Sequence, residues 1–364
     1  MRARYFLMTI ILPRQNLFWN TKPIIVLFSF GICDDAHTVR TQASVRPADL
    51  RQVKNGHSPD FGYPRLKPGK GLDLSQFFMA YLKPDQPEKV YVPALRAAKE
   101  KGEKLVCLTA YDYPTARIVD EAGVDIILVG DSMGNVIHGY GNTIPVTLDE
   151  ILSATMAVKR GSTRALIVSD MPYGTFHTGD NKAVRNAMRL LKNGGAEAVK
   201  LEGGRNRVDL VKRLVDEEIP VMAHIGLTPQ SVHKLGGYRV QGKTTVDANK
   251  LIEDAKLLEE AGAFAIVLEL IPREVAETIS KELTISTVGI GAGAACDIQV
   301  LVLHDLIGFT FGRQPRFVRQ YANVSEVIST AITEWMEDVR TGDYPSEAES
   351  YGFPKEAKAV TEGS

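Results

Sequence analysis

Cysteine is scarce. Three residues, Cys33, Cys107 and Cys296, are scattered over 364 positions. That spacing excludes a dense disulfide framework and a cysteine-based zinc site, and it fits a reducing compartment. Cys107 lies inside an apolar run and reads as a small core residue. Net charge is nearly absent too, with 43 Lys and Arg against 44 Asp and Glu. A nucleic-acid binder would show a basic stripe, so that class is excluded. No apolar run is long enough for a membrane span; Ile24 to Cys33 is only about ten residues. What is present is 44% hydrophobic and 24% charged. That is the composition of a soluble globular chain, not a disordered one. At roughly 150 residues per domain, the length fits one large domain or two small ones.

The first ninety residues differ from the rest. Arg2, Arg4, Arg14 and Lys22 precede the first acid, Asp34, and Met8 to Leu12 and Ile24 to Cys33 are apolar. Two readings stand side by side: a targeting segment, or a start placed too far upstream. Residues 34–90 are rich in Pro, Gly and charge and read as a linker or surface arm. The expected organisation is an N-terminal extension over 1–90, a catalytic domain over 91–353 and a flexible tail over 354–364. The expected location is the cytoplasm, or the mitochondrion if the leader is a transit peptide.

From about residue 91 short apolar runs alternate with helical patterns. The runs are Leu105 to Ala110, Ile126 to Gly130, Ala165 to Ser169, Ala198 to Leu201, Pro220 to Ala223, Ala265 to Leu268, Ser286 to Ile290 and Gln299 to Leu303. Near-continuous apolar character predicts strands covered on both faces. Thr147 and Glu150 predict a capping box ahead of Leu148, Ile151, Leu152 and Met156. Val184, Ala187, Met188 and Leu191 keep helical spacing until Gly194 and Gly195. Leu251, Ala255 and Leu258 do the same before Gly262. Eight strand–helix units predict a closed α/β (β/α)8 TIM barrel. An open doubly wound sheet fits less well, because Thr109-Ala110-Tyr111-Asp112 carries no Gly-rich turn after the first strand.

Barrel active sites form where the strands end. Those ends read Tyr111-Asp112, Gly130-Asp131-Ser132, Ser169-Asp170-Met171, Lys200-Leu201-Glu202, Ala223-His224-Ile225 and Leu268-Glu269. A single polar strand end has an ordinary structural explanation. Six together do not, because burying so many charges is costly without a metal or substrate. Asp131, Asp170 and Glu202 are hard oxygen donors that suit Mg2+. Lys200 and Glu202, two apart on a strand, share a face, and the ammonium suits a substrate anion. Glu269 follows Val267-Leu268, so desolvation suits it to general-base work; a salt-bridged barrel residue is the alternative. His224 is either a donor to a substrate oxygen or a satisfied core histidine. Together these residues predict metal-assisted enolate chemistry on a small oxo acid.

Thr109-Ala110-Tyr111-Asp112, Val129-Gly130-Asp131-Ser132, Asp170-Met171-Pro172, Val199-Lys200-Leu201-Glu202-Gly203-Gly204 and His224-Ile225-Gly226-Leu227-Thr228-Pro229-Gln230 resemble the ketopantoate hydroxymethyltransferase family. So do Gly236-Gly237-Tyr238-Arg239-Val240-Gln241-Gly242, Gly289-Ile290-Gly291-Ala292-Gly293 and Leu301-Val302-Leu303-His304-Asp305. The likeness runs from about Leu105 to Phe353, with the motifs in order. It implies a barrel of the phosphoenolpyruvate/pyruvate superfamily type. It implies hydroxymethyl transfer from 5,10-methylenetetrahydrofolate to 3-methyl-2-oxobutanoate, giving 2-dehydropantoate for pantothenate biosynthesis. Asp131, Asp170 and Glu202 match the Mg2+ ligands, some of them through water. Asp131, Ser132, Asp170 and Lys200 match the oxo-acid-binding positions, and His224 a pocket histidine. Glu269 matches the proton acceptor. The resemblance also implies ring-like homo-oligomers, commonly decamers. No nucleic-acid or membrane partner is expected.

Two features depart from the family. Ile298 stands where a Gly commonly follows the Asp, so a slightly different turn is expected before strand eight. The N-terminal arm is also long. Val327, Ile328, Ala331, Ile332, Trp335 and Val339 form an apolar stripe expected to dock on its own barrel. Gly289 to Gly293 reads as close backbone approach rather than a phosphate cradle, and His304-Asp305 as structural. Two rival functions are a lyase or aldolase on a larger oxo acid, and a non-catalytic scaffold. The scaffold predicts lost metal ligands or base, whereas Asp131, Asp170, Glu202 and Glu269 are all present.

Overall fold

The computed structural model describes residues 88–312 and 314–352, and before them the backbone of three strands. Those strands, β1 (Arg4–Ile11), β2 (Ile25–Ile32) and β3 (Arg40–Ala43), pair antiparallel in that order within a unit of their own. Cys33, most of the segment read as a linker, and the 354–364 tail lie outside the described residues.

The second unit is the barrel. Eight parallel strands close on themselves: β4 (Leu105–Thr109), β5 (Ile126–Val129), β6 (Leu166–Asp170), β7 (Ala198–Glu202), β8 (Val221–Gly226), β9 (Ala265–Glu269), β10 (Ser286–Ile290) and β11 (Ile298–Leu301). Alternate side chains go to opposite faces. One set, including Ile126, Leu128, Leu166, Val168, Ala198, Met222, Ala265, Val267, Val288, Ile298 and Val300, forms the inner core. The other set, including Ile127, Ile167, Val199, Leu201, Ala223, Ile266 and Leu268, packs outward against the helices. Helix α1 (Val92–Lys101) closes one end, with Leu95 in the inner core and its carbonyl accepting from Ser286 Oγ at 3.0 Å.

The period of two then positions the site. Two residues beyond Val168 stands Asp170, and beyond Ala198 stand Lys200 and Glu202. Beyond Met222 stands His224, and beyond Val267 stands Glu269. The inward row is apolar at depth and ionisable at the C-terminal rim. Strand register adds the lateral order, setting Asp170 beside Lys200, Glu202 beside His224, and Gly226 beside Glu269.

The outer helices are α2 (Tyr113–Glu121), α4 (Leu148–Gly161), α5 (Asp180–Arg189), α6 (Val208–Asp216), α8 (Thr245–Glu260) and α9 (Arg273–Glu282), with the short α3 (Met133–Val136), α7 (Val232–Leu235) and α10 (Leu303–Leu306) in loops. The capping box of α4 is present in full: Thr147 Oγ1 accepts from Glu150 N, and Glu150 Oε2 accepts from Thr147 N. Helix α5 widens into a π turn over Leu190–Gly194 and stops at left-handed Gly195. Cys107 and Cys296 are buried thiols.

Two expectations are corrected. Strand eight begins at Ile298 and ends at Leu301. Ile298 is fully buried, has no positive φ, and anchors the inner core, so its branched side chain meets no backbone strain. The apolar stripe lies on α11 (Val324–Thr341), but no residue of that helix is buried. Val327 is 68% exposed and Trp335 53%. The start of the helix is tied down by Val324 N donating to Ile307 O at 2.9 Å and Ser325 Oγ donating to Gly308 O at 2.8 Å. Among the described residues no element covers the stripe beyond that point. No helix among them is long and apolar enough to cross a membrane.

Candidate active site

All seven predicted site residues meet at the C-terminal mouth. Asp131, Asp170, Lys200, Glu202 and His224 are each less than 5% exposed. Ser132 and Glu269 are partly open, and the Glu269 side chain is 16% exposed. A cavity of about 900 Å3 reaches Asp131, Ser132, Asp170, Lys200, His224 and Glu269.

Lys200 is the centre of charge. Its Nζ lies 3.0 Å from Asp170 Oδ2 and 3.6 Å from Glu202 Oε1. Burial alone would favour neutral lysine, but Asp170, Glu202 and Asp131 outweigh it and hold the ammonium charged. His224 Nδ1 sits 3.3 Å from the same Nζ. An ammonium only donates, so Nδ1 must carry the lone pair and Nε2 the hydrogen. Burial first, then Lys200, pushes the His224 pKa well below the ordinary imidazole range, so the ring is neutral. Its Nε2 lies 3.3 Å from Glu269 Oε2, but the alignment falls short of a hydrogen bond.

Glu269 is raised to about 7 by desolvation, against the opposing pull of Lys200. The backbone around it is constrained. Gly226 has φ +92°, and a Cβ there would strike the Glu269 carbonyl, which accepts from Leu227 N at 2.8 Å. Leu270, next in the chain, is left-handed at φ 46°, a conformation that costs a branched residue of order 1 kcal/mol. Strain of this kind persists where neighbours over-determine the backbone: Leu270 N donates to Ile290 O at 2.9 Å, and Gln241 N donates to Leu270 O at 2.8 Å.

The three remaining carboxylates follow one pattern. Asp131 Oδ2 accepts from Gln230 Nε2 at 2.8 Å. Asp170 Oδ2 accepts from Asp131 N at 2.9 Å and faces Lys200. Glu202 Oε2 accepts from Gln230 N at 3.0 Å. Each therefore commits one oxygen to the protein. The second oxygens of Asp170 and Glu202 are buried without a hydrogen-bond partner. Burial, reinforced by Asp170, lifts Asp131 well above the usual carboxylate range, and burial lifts Glu202 to about 7. With Glu269, four carboxylates face one ammonium. Among the described residues no three His, Cys, Asp or Glu side chains form a ready-made metal cage. Mg2+ keeps several waters and takes few carboxylates, so hard oxygens with free lone pairs and excess negative charge fit it without a cage.

Ser132 Oγ lies 2.9 Å from Tyr111 Oη, whose burial keeps the phenol protonated. His304 is buried between the rings of Tyr111 and Phe309. The glycines at 289–293 serve close packing: a Cβ on Gly291 would press on Leu270 and Phe317 at 3.1 Å. The cavity rim is aromatic, with Tyr140, Tyr238, Phe309 and Phe317. Sequence reasoning gave Gln230 no role. Its only signal was membership of a motif, since it reaches Asp131 through a turn rather than along a strand.

Comparison with known proteins supplies the family. Residues 89–347 match the model of ketopantoate hydroxymethyltransferase. Among curated relatives, a 3-methyl-2-oxobutanoate hydroxymethyltransferase of Koribacter versatilis (strain Ellin345) is 54% identical over 278 residues, covering 76% of this chain and 94% of its own length. The protein of that name from Geobacter metallireducens (strain ATCC 53774 / DSM 7210 / GS-15) is 51% identical, covering 71% and 96%. That from Clostridium beijerinckii (strain ATCC 51743 / NCIMB 8052) is 53% identical, covering 71% and 94%. Among solved structures, phosphonopyruvate hydrolase aligns at 13% identity with a TM-score of 0.48, covering 73% of this chain and 93% of that one. With relatives matched over nearly their whole length and half of the aligned positions shared, the chain belongs to the ketopantoate hydroxymethyltransferase family.

Proposed function

We propose that this enzyme transfers a hydroxymethyl group from 5,10-methylenetetrahydrofolate to 3-methyl-2-oxobutanoate, giving 2-dehydropantoate for pantothenate biosynthesis. The observation that carries this is Glu269, a carboxyl raised to about 7 at the edge of a cavity that also holds Lys200. A base of that pKa is half ionised near neutrality, as proton abstraction beside a ketone requires.

Each residue then has a task. Lys200 and Ser132 bind the substrate carboxylate and its neighbouring oxygen. Glu269 takes the proton from the branched carbon. His224, neutral with Nε2–H, stands beside Glu269 as a donor that does not compete for the proton. Asp131, Asp170 and Glu202 would hold Mg2+. Bound there, Mg2+ would supply positive charge for the enolate oxygen. In the overall reaction one C–H bond is replaced by C–CH2OH; the methylene carbon comes from the folate and the hydroxyl from water. The cavity exceeds the needs of a five-carbon oxo acid, and its aromatic rim suits the flat pterin of the donor. A homo-oligomer, with the exposed stripe of α11 covered by another copy, completes the proposal.

The test supplies the purified chain with oxo acid, methylenetetrahydrofolate and Mg2+. The expected result is 2-dehydropantoate by mass spectrometry, lost when any one component is omitted. A folded protein that forms none with all three present would refute the assignment.

A further inference from the structure

We propose that Gln230 is a positioning residue that sets the orientation of two carboxylates, Asp131 and Glu202, for a divalent cation. This rests on the reading that those carboxylates, with Asp170, hold Mg2+.

Gln230 lies in the turn Pro229–Ser231 after β8 and is 5% exposed. Its Nε2 donates to Asp131 Oδ2 at 2.8 Å and to Met171 O at 3.0 Å. Its backbone N donates to Glu202 Oε2 at 3.0 Å. One residue thus spans the ends of β5, β6 and β7 from the turn beyond β8. Both hydrogens of the amide go to oxygens, so the amide cannot be flipped without setting Oε1 against a carboxylate. Oε1 itself is buried and unpartnered, which shows that the donor side fixes the side chain. A lone Asp or Glu carboxylate turns freely about its last torsion. Anchored through Oδ2 and Oε2, Asp131 and Glu202 present their other oxygens. Groups that orient metal ligands in this way typically change affinity 10- to 100-fold when removed.

The test separates orientation from folding. Gln230→Met keeps the approximate length and the backbone N–H but removes both side-chain donors. Gln230→Asn keeps an amide that is too short to reach. Ser162→Ala is the control, because Ser162 donates a buried hydrogen bond to Asp120 at 2.6 Å, ahead of β6 at the opposite end of the barrel. Mn2+ binding to each full-length protein is read by the electron paramagnetic resonance of free Mn2+, alongside thermal unfolding. The expected result is affinity lowered about 10- to 100-fold in both Gln230 variants and unchanged in Ser162→Ala. Wild-type affinity in a folded Gln230 variant overturns the proposal, as does an equal loss in Ser162→Ala. Wild-type protein that binds no Mn2+, or binds it undiminished after Asp131→Ala, overturns the cation site itself and the proposal with it.

Discussion

At the scale of single residues, the site is a balance of charges that folding alone does not favour. Glu269 is raised from 4.5 to about 7, so its proton is held more tightly in the fold than in the unfolded chain. The folded state therefore loses stability as pH rises through that window, and the loss is complete once both states are ionised. Glu269→Gln removes the penalty. In metal-free protein the variant should unfold with the wild type near pH 4 and be more stable by about 1–3 kcal/mol near pH 8. Thermal unfolding at the two pH values checks this; equal stability at both would contradict the desolvated base. Lys200 works in the opposite sense. Lys200→Met leaves buried carboxylates uncompensated and should cost about 3–5 kcal/mol, read from urea titration. Lys281→Met, on a surface i,i+4 pair with Glu277, should change little. The site was legible in the sequence as far as strands carry it. Asp170, Lys200, Glu202, His224 and Glu269 continue the inward alternation of Val168, Ala198, Met222 and Val267. Gln230 was not legible, because its reach depends on turn geometry that spacing does not encode.

At the scale of elements, the β8–β9 edge fixes the base. Gly226 brings β8 against the Glu269 carbonyl, and Leu270 turns the chain immediately afterwards. Gly226→Ala should push β9 outward and lower turnover about 10- to 100-fold through a misplaced carboxylate. Oxo-acid binding, for which the proposed partner Lys200 lies on β7, should change much less. Steady-state kinetics with direct substrate titration would show the split; normal turnover would show that β9 yields without moving Glu269. Helix starts were legible where side chains enforce them, as at Thr147 and Glu150. The end of the barrel was less so. The apolar run Gln299 to Leu303 places the eighth strand late, whereas β11 runs Ile298–Leu301 with Ile298 buried in the inner core.

At the scale of the molecule, barrel closure was legible because eight runs apolar enough to be covered on both faces alternate with helical patterns, and the first is not followed by the Gly-rich turn of an open doubly wound sheet. The fate of α11 was not, since amphipathic spacing names a face to be covered and not the surface that covers it. If copies of the chain cover that stripe, Trp335→Lys with Ile332→Lys should shift the particle toward smaller species in sedimentation velocity. An unchanged mass would place the stripe outside the assembly. The central claim is that this mouth, with Glu269 as base, ionises the oxo acid before any carbon is transferred. The direct measurement is deuterium uptake at the branched carbon of 3-methyl-2-oxobutanoate in D2O, with Mg2+ and without the folate donor. Wild type should exchange, faster as pH rises through about 7, and Glu269→Gln should bind the oxo acid without exchanging it. Exchange at the wild-type rate in Glu269→Gln would contradict the account.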